Sequence, residues 1–213
     1  MLGLKKENSL FTAGFSLVAG IDEAGRGPLA GPVVAAAAVL KPEIIANAAK
    51  MERLKDVNDS KKLTAKKREE LFVAIQEEFF EVGVGLCDHT TIDRINILEA
   101  TFLAMKMAVG QLKTKPSHLL IGGRFPIPNT TISQEAIIDG DALVFSIAAA
   151  SIIAKVTRDR IMTELAKKYP QYGFLNHKGY GTKEHLEALK KYGPCPIHRR
   201  SFKPVSAYFK KSP

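Results

Sequence analysis

Residues 15–40 read FSLVAGIDEAGRGPLAGPVVAAAAVL, and this stretch decides the fold. Apolar residues lead into two adjacent carboxylates, Asp22 and Glu23, a glycine-rich turn follows, and residues 32–40 are almost wholly apolar. Apolar runs of this length between turn residues are typical of buried strands. The stretch therefore predicts a hairpin of two buried strands, with the acidic pair at the end of the first.

The acidic pair has two interpretations. Adjacent acids at a strand end are common on surfaces, where they form a solvated turn. Two carboxylates on a buried hairpin, however, repel each other unless a cation lies between them, and hard oxygen ligands of this kind suit Mg²⁺ or Mn²⁺. Because apolar segments flank Asp22 and Glu23 on both sides, the sequence favours a metal site.

The composition limits the class of protein and its partners. A chain of 213 residues suits one domain with a small appendage. The formal net charge of +9 predicts a polyanionic partner, most often nucleic acid, although a membrane surface would attract the same charge. Cys87 and Cys195 lack the spacing of a zinc site or a disulfide framework. No segment suits a signal peptide or a bilayer span, so we expect a cytoplasmic protein with no membrane partner.

The rest of the chain alternates between strand and helix patterns. Strands are predicted over residues 80–87, 117–121 and 135–138. Helices are predicted over residues 64–79 with Thr64 as N-cap, from Thr90 or Thr91 for about five turns, and over residues 143–168 and 182–192. The second of these is expected to bury Ile95, Leu98, Phe102, Met105 and Val109. The pattern indicates an α/β or α+β fold around a mixed sheet of about five strands flanked by helices.

The composition changes after Pro170, which suggests a boundary there. Residues 1–169 are expected to form the core, and residues 170–213 a small, helical, basic C-terminal segment, with both parts in one compact domain overall. Lys210 and Lys211 contribute to the basic character of this end.

Asp141 follows the last predicted strand and can join the acidic pair if the ends of these elements converge. Hydrolysis of a phosphodiester requires acids that hold cations and a basic surface that holds the polyanionic strand. An acidic cluster in a basic protein would supply both. For Asp141 alone, a turn or helix-capping role is an equally good interpretation. At Gly25, Arg26 and Gly27 the missing Cβ atoms allow backbone groups to approach a ligand, and a tight turn with a solvated arginine is the alternative.

Three further groups of residues have open interpretations. Tyr180, in a glycine-rich loop, can stack on a sugar or base, or can pack with Tyr172 and Phe174. The basic run over residues 61–68 is either a solvated helix face or a phosphate contact. The histidines are scattered along the chain, which argues against a metal site or a nucleophile's base; they include His177, His185 and His198.

Several motifs, taken together, resemble the bacterial type 2 ribonucleases H, the ribonuclease HII family. They are Gly20–Pro28 with Gly31–Val34, Asp59–Leu63, Asn96–Leu98, Ser146–Asp159, His177–Thr182 and Arg200–Val205. The resemblance implies a ribonuclease H-like fold and endonucleolytic cleavage of the RNA strand in RNA–DNA hybrids, and of single ribonucleotides embedded in duplex DNA, giving 3′-hydroxyl and 5′-phosphate ends. Independently of the resemblance, one small basic domain is expected to be a monomer.

The resemblance also implies roles for individual residues. Four acids would hold two Mg²⁺ or Mn²⁺ ions, and three of them map onto Asp22, Glu23 and Asp141. The loop Gly25-Arg26-Gly27 would sense the ribose 2′-OH, and Tyr180 would pack against the next sugar. Substrate contacts are further expected from Lys61, Lys62, Ser151 and Lys155.

The sequence departs from the family pattern at the remaining acid. Gly122 occupies the position where the pattern has an aspartate, and a glycine offers no carboxylate to a cation. Either the substitution disables the chain, or this member manages with fewer acids, or another acid compensates, for which Asp139 is the candidate. The alternative functions are a catalytically impaired protein that binds hybrids without efficient cleavage, and a basic nucleic-acid-binding domain with no preference for ribonucleotides.

Overall fold

A mixed sheet of five strands forms the centre of the computed structural model, which describes residues 2–209. The strands are β1 (Val18–Ala24), β2 (Val33–Leu40), β3 (Glu81–Cys87), β4 (His118–Gly122) and β5 (Ser133–Ile137), in the spatial order β3-β2-β1-β4-β5. β1, β2 and β3 pair antiparallel, whereas β4 pairs parallel with both β1 and β5. The predicted α/β fold with a mixed five-stranded sheet is confirmed.

Helices connect and cover the strands. They are α1 (Lys5–Thr12), α2 (Pro42–Ile45), α3 (Ala48–Arg53), α4 (Ala65–Glu78), α5 (His89–Gly110), α6 (Gly140–Leu143), α7 (Phe145–Lys168), α8 (Phe174–His177) and α9 (Lys183–Tyr192), with 3₁₀ turns at Pro170–Tyr172 and Val205–Tyr208. Thr64 caps α4 as predicted, because its hydroxyl accepts a hydrogen bond from the Lys67 amide at 3.2 Å. No helix within residues 2–209 is long and apolar enough to cross a membrane.

The predicted hairpin of β1 and β2 is present, with the acidic pair at the end of the first strand. β1 includes both acids and ends at Ala24, so that Asp22 pairs with Ala36 and Glu23 pairs with Ala35. β2 buries both of its faces: alternate residues pack against α4 and α7 on one side of the sheet and against α5 on the other. Burial on both faces explains the continuous apolar run of this strand.

Small residues allow α7 to lie directly on β1. A Cβ atom added to Gly20 would come within 2.1 Å of the Ser146 carbonyl carbon, which leaves no space for any side chain at residue 20. Packing against the sheet was the default interpretation of this small-residue run, and it is confirmed. The helix begins at Phe145 rather than at residue 143, because Val144 is extended (φ −124°, ψ 124°) and separates α6 from α7.

The predicted helix α5 is present but is not continuous. Asn96 has φ 66° and ψ 168°, which interrupts the helix, and its Oδ1 accepts hydrogen bonds from the amides of Leu98 and Glu99. The predicted buried side faces the core: Met105 is buried, and Ile95, Phe102 and Val109 are partly buried and pack against the same cluster, whereas Leu98 is only partly buried. Alanines such as Ala104 make the closest contact with the sheet, since a Cβ atom at Gly85 would lie 2.1 Å from the Ala104 carbonyl oxygen.

Residues 170–209 pack against α7 and against the loop that follows the acidic pair. Tyr172, Phe174 and Cys195 form a buried cluster with Met162 of α7, and Ala30 forms an isolated bridge with His198. The proposed boundary at residues 169 and 170 stays a prediction. Lys210 and Lys211 lie outside the described residues.

Candidate active site

One cleft of about 550 Å³ lies at the end of β1 and β4, where the two parallel strands run side by side. It collects most of the residues that the sequence singled out. The lining comprises Asp22, Glu23, Gly25, Arg26, Gly27, Lys61, Gly122, Asp139, Asp141, Lys155 and Tyr180, together with Ala24, Ser60, Arg68, Gly123 and Gly140. The ends of the predicted elements therefore do converge, and the three proposed acids share one space.

Burial and mutual repulsion act together on the acidic pair. Burial, followed by the charges of Glu23 and Asp141, holds the pKa of Asp22 well above its ordinary value of 3.8. Burial also raises the pKa of Glu23, although Arg26, whose Nη1 lies 3.4 Å from Glu23 Oε1, opposes the rise. A carboxylate with a raised pKa gains free energy from any cation placed beside it. A cation bound beside Asp22 and Glu23 would therefore stabilise their ionised forms.

Lys61 supplies a positive charge to the third acid. Its Nζ lies 2.7 Å from Asp141 Oδ2 and 3.9 Å from Asp59 Oδ1, and the hydrogen bond to Asp141 raises the pKa of the ammonium. Asp59 Oδ1 also accepts a hydrogen bond from the Lys61 amide at 2.9 Å, which fixes the loop that carries the lysine. Lys61 thus partly neutralises Asp141 from a flexible, exposed side chain.

The acids fit a divalent cation by their chemistry. Asp22, Glu23 and Asp141 are hard oxygen donors in one cleft, and a cation would relieve the repulsion that raises the pKa of Asp22. As the side chains are placed, no three His, Cys, Asp or Glu residues among residues 2–209 enclose a metal position. The third carboxylate, Asp141, is instead paired with Lys61 at 2.7 Å.

Gly122, the last residue of β4, lies directly beside Asp22. A Cβ atom at residue 122 would be 2.8 Å from Asp22 Oδ1 and 3.0 Å from Ile147 Cγ2. The candidate compensating acid, Asp139, adopts the left-handed conformation (φ 54°) and lines the same cleft, next to the buried Gly140 that packs on Gly122. Compensation by Asp139 stays a prediction.

The loop that carries Gly25, Arg26 and Gly27 requires a glycine at its first position. Gly25 has φ +97°, and a Cβ atom there would lie 2.0 Å from the Nε of the buried Arg158. Arg26 extends into the cleft and is about half exposed. Gly27 lies close to the ring of Tyr180, since an added Cβ would be 3.7 Å from its Cε1.

The aromatic residues of the C-terminal segment divide between packing and the cleft. Tyr172 and Phe174 are buried and stack with ring centroids 5.3 Å apart, so the packing interpretation is right for these two. The Tyr180 ring is 43% exposed and lines the cleft, with the Arg158 guanidinium carbon 5.9 Å from its centroid.

The expected phosphate contacts occupy different environments. Lys155 lines the cleft and pairs with Asp159 at 2.8 Å. Lys62 is exposed but does not line the cleft. Ser151 is buried in α7, and its hydroxyl donates to the Ala148 carbonyl at 2.8 Å.

Sequence reasoning missed two buried arginines and a histidine cluster. Arg158 and Arg199 are almost completely buried. They donate hydrogen bonds to backbone carbonyls in and next to the Gly25-Arg26-Gly27 loop, called the cleft loop below. The histidines are scattered along the sequence but lie together in the fold. The ring centroids of His177 and His185 are 4.6 Å apart with the rings stacked, and those of His185 and His198 are 5.2 Å apart. The turn after α8 and the return of the chain after α9 bring them together. Spacing along the sequence carries no signal for such a cluster.

Comparison with known proteins gives the family. The family model "Ribonuclease HII" matches residues 19–205. The ribonuclease HII of Acetivibrio thermocellus is 56% identical over 196 residues, which cover 92% of this chain and 73% of the relative. The ribonuclease HII of Clostridioides difficile is 53% identical over 196 residues, again 92% of this chain and 73% of the relative.

Solved structures show the same fold. The crystal structure of ribonuclease H2 from Pyrococcus horikoshii superposes with a TM-score of 0.71 at 32% identity, covering 90% of this chain and 96% of that one. Bst-RNase HIII, in complex with Mn²⁺, superposes with a TM-score of 0.71 at 20% identity, covering 92% and 70% of the two chains, which is a likeness of fold. The chain therefore belongs to the ribonuclease HII family, the type 2 ribonucleases H, which hydrolyse RNA in RNA–DNA hybrids.

Proposed function

We propose that this chain is a divalent-metal-dependent endoribonuclease that cleaves the RNA strand of RNA–DNA hybrids and cuts duplex DNA at single embedded ribonucleotides. Its products would carry 3′-hydroxyl and 5′-phosphate ends. The observation that carries the proposal is the convergence of three acids, the Gly25-Arg26-Gly27 loop and Tyr180 in one cleft. The net charge of +9 supports a nucleic-acid substrate.

Asp22, Glu23 and Asp141 are the residues that would hold the metal, Mg²⁺ or Mn²⁺, with two ions expected when substrate is bound. Bound ions would supply an activated water for attack on the phosphorus and stabilise the leaving 3′ oxygen. Lys61 pairs with Asp141, and its exposed side chain would be available to a substrate phosphate if a cation were held by Asp141 instead. Lys61 would then exchange one anionic partner for another.

Ribose recognition would come from the cleft loop and the tyrosine. A 2′-OH both donates and accepts hydrogen bonds, and only ribose offers it. The missing side chains at Gly25 and Gly27 let backbone groups approach that hydroxyl, while the exposed face of Tyr180 packs against the next sugar. Together these groups would place a ribonucleotide, rather than a deoxyribonucleotide, against the acids.

The phosphates around the ribonucleotide would contact the basic residues of the cleft. Lys61, Arg68 and Lys155 line it, and Lys62 lies exposed on the same loop as Lys61. The contact of Ser151 stays a prediction from the sequence, and its buried hydroxyl donates to the Ala148 carbonyl at 2.8 Å. The monomeric state and the cytoplasmic location remain predictions from the sequence.

The proposal is tested with an end-labelled DNA duplex that contains one ribonucleotide, incubated with Mg²⁺ or Mn²⁺. We expect incision on the 5′ side of the ribonucleotide, none in EDTA, and none of the otherwise identical all-DNA duplex. Preferential binding without incision in either metal would identify the chain as the impaired form that Gly122 raises as the alternative. Equal affinity for both duplexes with no incision would overturn the proposal.

A further inference from the structure

Arg199 holds the cleft loop in place through hydrogen bonds from the protein interior. This side chain is fully buried, and its guanidinium donates to three carbonyls: Nη2 to Gly25 at 2.6 Å, Nη1 to Arg26 at 2.9 Å and Nε to Gly31 at 3.0 Å. Its own amide donates to the Leu29 carbonyl at 2.8 Å. The position of the loop that faces the acids is therefore set by one residue near the end of the described chain.

The Arg199 guanidinium donates to backbone carbonyls rather than to a carboxylate. Burial and the charge of Arg158 lower its pKa to about 9, and the more distant charge of Asp93 opposes this only in part. An unpaired buried cation is costly, and packing alone would be better served by an apolar side chain. The guanidinium group, however, is planar and carries five N–H donors, so it can hold several carbonyls in fixed positions at once.

The preceding residue, His198, connects to Tyr180 through a chain of hydrogen bonds. The Cys195 amide donates to His198 Nδ1 at 2.9 Å, the two Nε2 atoms of His198 and His185 lie 3.0 Å apart, and His185 Nδ1 lies 2.9 Å from the Tyr180 carbonyl oxygen. Both rings are buried.

The partners at the two ends assign the protons. The Tyr180 carbonyl can only accept, so His185 Nδ1 carries hydrogen and its Nε2 is an acceptor. His198 Nδ1 accepts from the Cys195 amide, so its Nε2 carries hydrogen and donates to His185. Both imidazoles are thus neutral and of opposite tautomers, and one set of proton positions satisfies the whole chain.

We infer that the dipeptide His198-Arg199 is a positioning device that sets the Gly25-Arg26-Gly27 loop through Arg199 and Tyr180 through His198 and His185. The inference rests on the proposed function, in which these two elements read the ribonucleotide. Because both are fixed by adjacent residues of one short segment, their spacing is fixed as well. That spacing selects ribose, so residues that touch no substrate determine selectivity.

Two substitutions of His198 separate positioning from packing. Asparagine at this position keeps an acceptor for the Cys195 amide but cannot reach His185. Glutamine reaches His185 with an amide donor but abandons the Cys195 amide. Both remove the imidazole ring from the core, so a purely structural role predicts equal effects of His198→Asn and His198→Gln.

The readout is the ratio of Kd values for an all-DNA duplex and for the same duplex with one ribonucleotide, both fluorescein-labelled. Titrations are followed by anisotropy in CaCl₂, with gels to verify that the duplexes stay intact. We expect the ratio to fall about tenfold in His198→Asn and in Arg199→Lys, and to be largely retained in His198→Gln. Ile75→Ala, in the core on the opposite face from α5, is the control for lost stability and should leave the ratio unchanged.

Three results bear on the inference in different ways. Equal loss of the ratio in His198→Asn and His198→Gln, or a similar loss in the Ile75→Ala control, would overturn the positioning role. A ratio of one in the unaltered protein would instead refute the proposed function. If a variant does not fold, the imidazole ¹⁵N–¹H spectrum of the unaltered protein decides: hydrogen on His185 Nδ1 and His198 Nε2 supports the inference, and the reverse tautomers overturn it.

Discussion

Substitution of Gly122 by aspartate tests the electrostatics of the cleft. The new Cβ would meet Asp22 Oδ1 at 2.8 Å, so the Asp22 side chain must turn, and a second carboxylate would then lie beside one whose pKa is already raised. Two unit charges about 4 Å apart interact by about 4 kcal/mol at an effective dielectric constant of about 20. Proton uptake by the pair relieves part of this energy.

We therefore expect Gly122→Asp to lower the free energy of unfolding by about 2–4 kcal/mol in EDTA at mildly alkaline pH. Mg²⁺ should restore most of it, since a ligand at a hundred times its Kd stabilises the folded state by about 2.7 kcal/mol. Urea unfolding with and without Mg²⁺ measures both effects. Gly122→Asn matches the shape without the charge, and Gly122→Ala isolates the contact of the Cβ atom.

The reasoning is refuted if Gly122→Asp is no less stable than Gly122→Asn in EDTA, or if Mg²⁺ stabilises both equally. Incision by the same proteins then decides among the explanations of Gly122. A rate in the unaltered chain close to that of Gly122→Asp would mean that three acids suffice, with or without Asp139. Incision by the variant alone would identify a disabled chain, and incision by neither would contradict the assigned site.

Three further predictions follow from the site. Asp22→Asn should reduce incision about a hundredfold or more, yet raise the free energy of unfolding in EDTA, because it removes a buried carboxylate whose pKa is raised; paired kinetic and urea measurements test both signs. Lys61→Ala should weaken binding of all duplexes about equally and reduce the salt slope by about one, and a loss confined to the ribonucleotide duplex would contradict the phosphate contact. Burial lowers the pKa of His185, and that of His198 to about 4, from the ordinary 6.5. The unfolded chain therefore binds more protons in this window, and the free energy of unfolding should fall as pH drops from 6.5 towards 4, less steeply in His198→Gln.

The sequence predicted the parts of the fold that local patterns control. The β1–β2 hairpin follows from continuous apolar runs around a glycine-rich turn, and the cap at Thr64 follows from residue type and position. The kink at Asn96 did not follow, because the apolar pattern continues through this position, whereas the Asn96 side chain accepts from the amides of Leu98 and Glu99 and starts a second helical segment. A local side-chain-to-backbone bond overrode a helical pattern there.

The candidate site shows the same division. Asp22 and Glu23 are recognisable because two adjacent charged residues stand out between the apolar segments of two buried strands. Arg199 is not recognisable, because it sits in a basic stretch whose composition indicates solvent exposure, yet it is fully buried. Its role depends on carbonyls far away along the chain, and neither charge nor periodicity encodes those partners.

The bond between Arg199 and Gly25 joins residues 174 positions apart, and this separation has a consequence for biosynthesis. The acidic pair and the loop beside it leave the ribosome well before Arg199 does. A nascent chain would therefore carry the acids of β1 without a fixed loop beside them until Arg199 has been synthesised and has folded back onto Gly25.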